Sequence, residues 1–544
     1  MAEKKKNSFV GNVLMLMFSQ VLIKILGLVY RLAITNAEGF GDQGNGYYSA
    51  GYQVYAVLLI ISSQGIPGAV SKLVSNKVAE GKYKEAHRVF KVSLLVFAII
   101  GFIASLLLFL TADFVSNNIL NVSDVSYVLK VLSPAIFFVC VSAVIRGYFA
   151  GLGTMKASSI SQALEQFFNC VLTVTFVYAL IGEEPYIMAA AGNLSTTLAI
   201  LISFTYLLFF YKSNIKKYTE NSNEKVDTSK GSVKKLSKLI ILTAIPLTIG
   251  SVISVVTSFI DTVTVSNLIQ IAYDGILGSK ELLEKEAMRL TGILSKVDTL
   301  VNLPIAINLS FYSALIPAIT ASIAKKDYKS ASKKISFSIS TSLLIVIPCA
   351  AGFIFLADPI LKMLYPNASD GALVLQIASI TMIFVAVNHT LQGSLFGIGK
   401  MYTPALALLC GSIVKVMLNL ILIRDPNINI YGAVISSLIC QLITFTIIYK
   451  VIKKSIDFKI NVKNGVLKPL ISSITMGLVI MLIYSLLNNI LGNTITTIIC
   501  ILVGGFVYLV MVMLLKVLSK EEICALPKGN SIYNLLVKLK LYRA

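Results

Sequence analysis

Apolar runs of about 20 residues, separated by short polar stretches, recur along the whole chain. They predict fourteen membrane-spanning helices, over 8–35, 46–71, 92–111, 127–150, 157–181, 186–211, 236–266, 292–321, 335–356, 371–397, 402–423, 430–449, 469–488 and 493–517. Backbone groups that face lipid must be paired within their own segment, so each span has to be helical. No window between the spans is long enough for a separate soluble domain.

The pattern also repeats at a larger scale. Arg146 to Gly153 reads R-G-Y-F-A-G-L-G and Gln392 to Gly399 reads Q-G-S-L-F-G-I-G, each closing a span and each followed two residues on by methionine. Tyr83 to Ala86 and Tyr328 to Ala331 share Y-K-x-A, and Ile66-Pro67 is echoed by Ile316-Pro317, with spacings that differ by five residues. The echoes fall at matching places in two sets of six spans. An even number of spans per repeat gives two lobes of the same orientation, related by a pseudo-two-fold axis along the membrane normal, and such lobes suit alternating access. The expected organisation is an all-α integral membrane protein. Residues 1–211 form an N-lobe, 212–235 a polar cytoplasmic linker, 236–455 a C-lobe, and 456–544 two extra helices with a cytoplasmic tail.

Composition agrees with this picture. Of 544 residues only 13% are charged and mean hydropathy is +0.82, where a soluble domain carries about 25% charged residues. The net charge of +21 raises nucleic acid as a partner, but its placement argues otherwise. Most Lys and Arg lie in Lys72 to Lys91, Lys212 to Lys238, Lys325 to Lys334 and Lys450 to Lys468, whereas Glu38, Asp42, Glu183 and Glu184 lie in the alternate loops. Basic loops mark the cytoplasmic side. Both termini are therefore expected inside a bacterial plasma membrane, with the basic surface drawn to anionic lipids. Lys4, Lys5 and Lys6 precede a long apolar stretch with no small-residue cleavage site, so the first span is expected to be retained. The segment E-L-L-E-K-E-A-M-R-L, ending at Leu290, reads as a short amphipathic helix on the outer membrane surface. Seven scattered cysteines, no C-x-x-C and only His87 and His389 argue against a metal site or disulfide framework.

Eight ionisable residues remain inside the spans: Lys24, Arg31, Arg146, Lys296 and Lys415 against Glu165, Asp261 and Asp298. A charge at bilayer depth costs at least about 2.5–3.5 kcal/mol on insertion scales, so each should face a wet cavity or a partner. The positive excess suits a diphosphate or other anionic head group better than a neutral one. Lys24 and Arg31 are two helical turns apart and share a face. Arg31 can also snorkel to the interface. Arg146 and Glu165 suit either an ion pair locking two helices or a gate at the cytoplasmic mouth. Asp261 and Lys296 suit an outer pair or gate, and Asp298 a coupling cation.

Pro67, Pro304 and Pro317 interrupt or flank spans and serve as kinks or hinges. Gly147 and Gly151 allow close helix approach or bending. No Walker A loop, G-x-S-x-G or H-E-x-x-H is present, which argues against an enzyme.

Three stretches make the chain recognisable. They are Lys24-Ile-Leu-Gly-Leu-Val-Tyr-Arg31, Gly65-Ile-Pro-Gly-Ala-Val-Ser-Lys-Leu-Val-Ser75, and Arg146-Gly-Tyr-Phe with Ser161-Gln-Ala-Leu-Glu-Gln166. On these residues the chain resembles the polysaccharide-export branch of the multidrug/oligosaccharidyl-lipid/polysaccharide exporter superfamily, and within it the lipid II flippases of the stage V sporulation protein B type. Family members commonly carry Arg three residues after the Glu-Gln pair, where this chain has Asn169.

The resemblance implies a flippase carrying an undecaprenyl-diphosphate-linked saccharide, such as the peptidoglycan precursor lipid II, to the outer leaflet. Lys24, Arg31 and Lys415 would engage the head group. No cofactor is expected; the drive would be Na+, H+ or the membrane potential, and cell-wall synthesis proteins are candidate partners. A cation-coupled multidrug exporter of the same superfamily is the alternative, and a non-transporting scaffold for cell-wall enzymes a third class.

Overall fold

The computed structural model describes residues 23–63, 65–219, 233–456, 458 and 462–517. The parts of the first span before residue 23, of the 212–235 linker and of the C-terminal tail that fall elsewhere lie outside the described residues. Among the described residues the chain is helical and contains no strand. Among the described residues eleven helical segments are long and apolar enough to cross a membrane, fewer than the fourteen spans expected from hydropathy.

In chain order the α-helices of the described residues are α1 (residues 23–35), α2 (Gly41–Ser63), α3 (Gly65–Ala79), α4 (Tyr83–Phe114), α5 (Val125–Gly151), α6 (Lys156–Ala179), α7 (Pro185–Thr219) and α8 (Val233–Ala272). They continue as α9 (Lys280–Ala324), α10 (Tyr328–Phe355), the short α11 (Ala357–Leu364), α12 (Ala372–Ile398), α13 (Thr403–Leu422), α14 (Ile430–Ile456) and α15 (Lys468–Leu514). The chain divides into two compact units, Met1–Lys296 with Asn419–Ile430, and Val297–Leu418 with Tyr431–Ala544.

In the first unit α5 is buried along most of its length and packs on α2, α3, α4 and α7. Small residues set these approaches. Gly101 lets α4 close on Cys140 of α5, and Gly151 lets α5 close on Val74 of α3. α8 lies against α2 and α3. In the second unit Leu315, Ile339, Leu343, Leu391, Leu395 and Ile452 form one apolar core. A second core joins Ile360 of α11 to Met476, Ile480, Cys500 and Tyr508 of α15. α15 has 47 residues, about 70 Å of helix, more than twice the hydrocarbon thickness. Its backbone breaks at Gly492 (φ 75°, ψ 166°), between the two spans that hydropathy places there. The two arms then touch where Gly504 meets Ile480.

Two of the three sequence echoes are also structural echoes. Gly153 (φ 85°) and Gly399 (φ 91°) both end their helices in the left-handed conformation that glycine adopts without strain. The Thr154 amide donates to the Phe149 carbonyl at 3.0 Å, and the Lys400 amide to the Leu395 carbonyl at 2.9 Å. A Cβ on Gly151 would lie 2.7 Å from the Val74 Cβ and 2.9 Å from the Ser71 carbonyl oxygen. On Gly397 it would lie 2.8 Å from the Ile319 Cβ and 3.1 Å from the Ile316 carbonyl oxygen. Tyr83 and Tyr328 each open a helix, and Ala86 and Ala331 are each buried. The isoleucine–proline echo is out of register. The shared packing equates Ile316 with Ser71, so Pro317 corresponds to Lys72 and not to Pro67.

The amphipathic segment ending at Leu290 is not a separate surface helix. It forms the first turns of the 45-residue α9, because its inner face is covered by protein. Glu284 accepts from the Ser123 amide and hydroxyl, both at 3.1 Å, and the Met288 backbone lies on Gly46. α2 begins earlier than hydropathy indicates, which draws Asp42 and Asn45 out of the expected loop and into a buried helical turn.

Candidate functional site

Asp42, Asn45, Gly46 and Ser49 recur at helical spacing and make a polar, small-residue face at the start of α2. α9 lies across this face. The Lys296 ammonium is 2.7 Å from Asp42 Oδ1, with both side chains almost fully buried. A Cβ on Gly46 would overlap the Met288 carbonyl, and one on Gly292 would overlap that of Asp42. Asn45 Nδ2 donates to the Gly292 carbonyl at 2.9 Å and its Oδ1 accepts from Arg31 Nη1 at 2.6 Å. The Arg31 guanidinium covers the Tyr48 ring at 4.3 Å from its centroid. One polar chain thus links α1, α2 and α9. Asp42, Asn45 and Gly292 were missed in the sequence as partners; the signal was the D-x-x-N-G spacing, hidden by its assignment to a loop.

Beside this crossing, α8 holds the end of α4. The π-turn Val115–Leu120 leaves carbonyls outside the regular helical ladder. Ser266 donates to Leu120, Asn267 to Ile119 and Gln270 to Asn121.

Lys24 is exposed on α1, with no ion pair or side-chain hydrogen bond among the described residues. Arg31 is half-buried, two turns further along the same face of the helix. Lys415 is buried within α13 in the second unit, and Asn419, one turn on, belongs to the first. Asn419 Nδ2 lies 2.8 Å from Thr264 Oγ1 and 3.4 Å from Asp261 Oδ1. Asp298 is exposed on α9.

Arg146 and Glu165 are brought together. Arg146 Nη2 lies 2.7 Å from Glu165 Oε2 and donates to Ser203 at 3.0 Å, while Nε donates to Ser161 at 2.9 Å. This one guanidinium ties α5, α6 and α7. Asn169, in place of the family's Arg, accepts from Thr173, Ser195 and Thr196 through one oxygen. Gly147 packs on the Pro67 backbone, Pro304 is buried in α9 and Pro317 is exposed. Among the described residues no three His, Cys, Asp or Glu are grouped to hold a metal ion.

The signature described as "Polysaccharide biosynthesis protein" matches residues 9–322, more than half of the chain. The chain belongs to that family. A MatE signature also matches residues 291–421. Among relatives in Bacillus subtilis, the membrane protein YabM is 29% identical and covers 78% of this chain and 76% of its own length. The lipid II flippase MurJ is 26% identical, covering 74% and 75%. Stage V sporulation protein B is 25% identical, covering 79% and 81%. A solved structure of lipid II flippase MurJ in an inward closed conformation superposes with a TM-score of 0.68 at 17% identity, over 92% of this chain and 98% of that one. An inward-facing multidrug transporter of the MATE family gives 0.65 at 14% identity, over 80% and 94%. The fold is like that of MurJ and of MATE-family transporters, and the chain is a multi-span membrane protein by the length and hydropathy of its helices.

Proposed function

We propose that the chain is a flippase for undecaprenyl-diphosphate-linked saccharides, with lipid II as the leading cargo, working by alternating access. Six-helix lobes over residues 1–211 and 236–455, two further C-terminal helices and fourteen spans with both termini cytoplasmic form the frame of this reading. Support for the lobes comes from the matched glycine caps at Gly153 and Gly399.

The observation that carries the reading is the cationic face of α1. Lys24 stands exposed in a helix expected to lie in the membrane, seven residues from Arg31. An unneutralised lysine at such depth is costly, and a diphosphate offsets that cost by supplying the missing anion. Lys415, buried within α13, is the third cation assigned to the head group in this reading. In this reading the Asp42–Lys296 contact and the Gly46–Gly292 crossing are the closed outer gate. Arg146 and Glu165 hold the N-lobe together at the inner mouth. The kinship with MurJ and stage V sporulation protein B agrees with the cargo.

Complementation tests it. In bacterial cells depleted of their lipid II flippase, the wild-type chain is expected to restore growth and Lys24→Ala to fail at equal membrane abundance. Failure of the wild-type chain to rescue, when present in the membrane, overturns lipid II as cargo. A multidrug-exporter reading rests on the MATE-like fold, and drug efflux without rescue would favour it.

A further inference from the structure

Tyr48, Tyr52 and Tyr55 recur on α2 at steps of four and three and therefore share one face. Their environments differ. Tyr48 is covered by the Arg31 guanidinium and Tyr55 is buried, its hydroxyl without a partner among the described residues. Tyr52 remains partly open, its ring 5.6 Å from that of Tyr55 and tilted by 56°. Both rings lie within electrostatic reach of Glu165 on α6. Glu165 gives Oε2 to Arg146 and leaves Oε1 without a partner among the described residues, with its side chain 30% exposed. Gln166 turns its amide toward α1, in the space left by Gly27.

We propose that Tyr52, with Glu165 Oε1 and the Gln166 amide, is a saccharide-binding subsite. This rests on the flippase reading and specifies which part of the cargo the N-terminal unit recognises. An open aromatic face packs on the C–H face of a pyranose ring. A carboxylate oxygen accepts from ring hydroxyls, and an amide both donates and accepts. Tyr52 lies within electrostatic reach of Arg31 and Gln166 faces Gly27 on the same helix as Arg31 and Lys24, so a diphosphate at the α1 cations would place its first sugar against this group. An organic cation also favours an aromatic ring beside a carboxylate, but Arg31 and Lys24 set positive charge against it.

The test uses the full-length protein in lipid nanodiscs and compares two probes, undecaprenyl diphosphate and the same lipid carrying a disaccharide. Wild type is expected to bind the glycosylated probe more tightly. Tyr52→Ala should weaken that probe about tenfold and the bare diphosphate less than about twofold, while Tyr52→Phe keeps most of the preference. Glu165→Gln retains a partner for Arg146 and should likewise weaken only the glycosylated probe, which provides the reading if Tyr52→Ala misfolds. The subsite is overturned, with the flippase reading intact, if wild type shows no preference or if the variants weaken both probes alike. Should Tyr52→Ala abolish tetraphenylphosphonium binding and leave the glycosylated probe unaffected, the subsite is one for cations. If wild type binds neither lipid probe, both readings fall.

Discussion

Lys296, seventeen residues into α9, places its ammonium 2.7 Å from the Asp42 carboxylate in the first turn of α2, where both are almost fully buried. A buried pair of this kind need not stabilise the fold relative to an apolar substitute, but removing one partner strands a charge. Lys296→Ala is therefore expected to cost about 3–5 kcal/mol. Thermal unfolding in detergent checks this. In a cycle with Asp42→Ala, the double variant should lose less than the sum of the singles by more than about 1 kcal/mol. Additivity would show that the contact carries no coupling.

The same crossing depends on two missing side chains. Gly46→Ala and Gly292→Ala each drive a methyl group into the backbone of the opposing helix. Each is expected to lower stability by about 1–3 kcal/mol or more. In the gate reading, each should also raise labelling of a cysteine placed at Ser49. Gly278, where a Cβ meets open space, is the control, and Gly278→Ala should leave both measurements unchanged.

Arg146 has a geometry that lysine cannot copy. Its guanidinium reaches Ser161 through Nε and both Glu165 and Ser203 through Nη2, two fixed directions that an ammonium, a single point, does not offer. Arg146→Lys should lose roughly 1–3 kcal/mol, close to the loss in Arg146→Ala. A Lys variant as stable as wild type would contradict the three-helix lock.

Acidity acts on Asp124, in the turn before α5. Burial, together with the nearby Glu284 and Glu184 charges, holds its carboxyl above the usual carboxylate range. The folded chain therefore binds this proton more tightly than the unfolded chain does. Its effect on stability is absent below the unfolded pKa, and becomes increasingly destabilising as pH rises from about 3.9 through the raised folded value. Asp124→Asn should raise the melting temperature near about pH 7 and leave it little changed near about pH 4. A variant less stable than wild type at neutral pH would contradict this.

Much of the frame was legible because period and hydropathy are local properties. The apolar runs marked the helices, and the repeated glycine phrase marked two caps of the same backbone conformation, each preceded by a glycine packed on an aliphatic Cβ and a carbonyl oxygen of a neighbouring helix. What escaped was set by tertiary contact. Asp42 sits in a stretch whose composition resembles a loop, and only α9 lying across it makes a buried helical turn there. The segment ending at Leu290 has an amphipathic pattern that fits a lipid surface or a protein surface equally, and Gly46 and Ser123 decide for protein. The isoleucine–proline echo failed because two-residue matches are frequent in membrane helices, while the glycine contacts fix the true register. Arg146 and Glu165 were legible as a pair, but their hydroxyl partners Ser161 and Ser203 are ordinary residues in the sequence.

The most direct measurement reconstitutes the purified full-length chain in liposomes and follows a labelled undecaprenyl-diphosphate-linked disaccharide from one leaflet to the other. The account predicts transfer well above that of protein-free liposomes, and its loss in Lys24→Ala. Folded, correctly inserted protein that moves the lipid no faster than empty liposomes would contradict it.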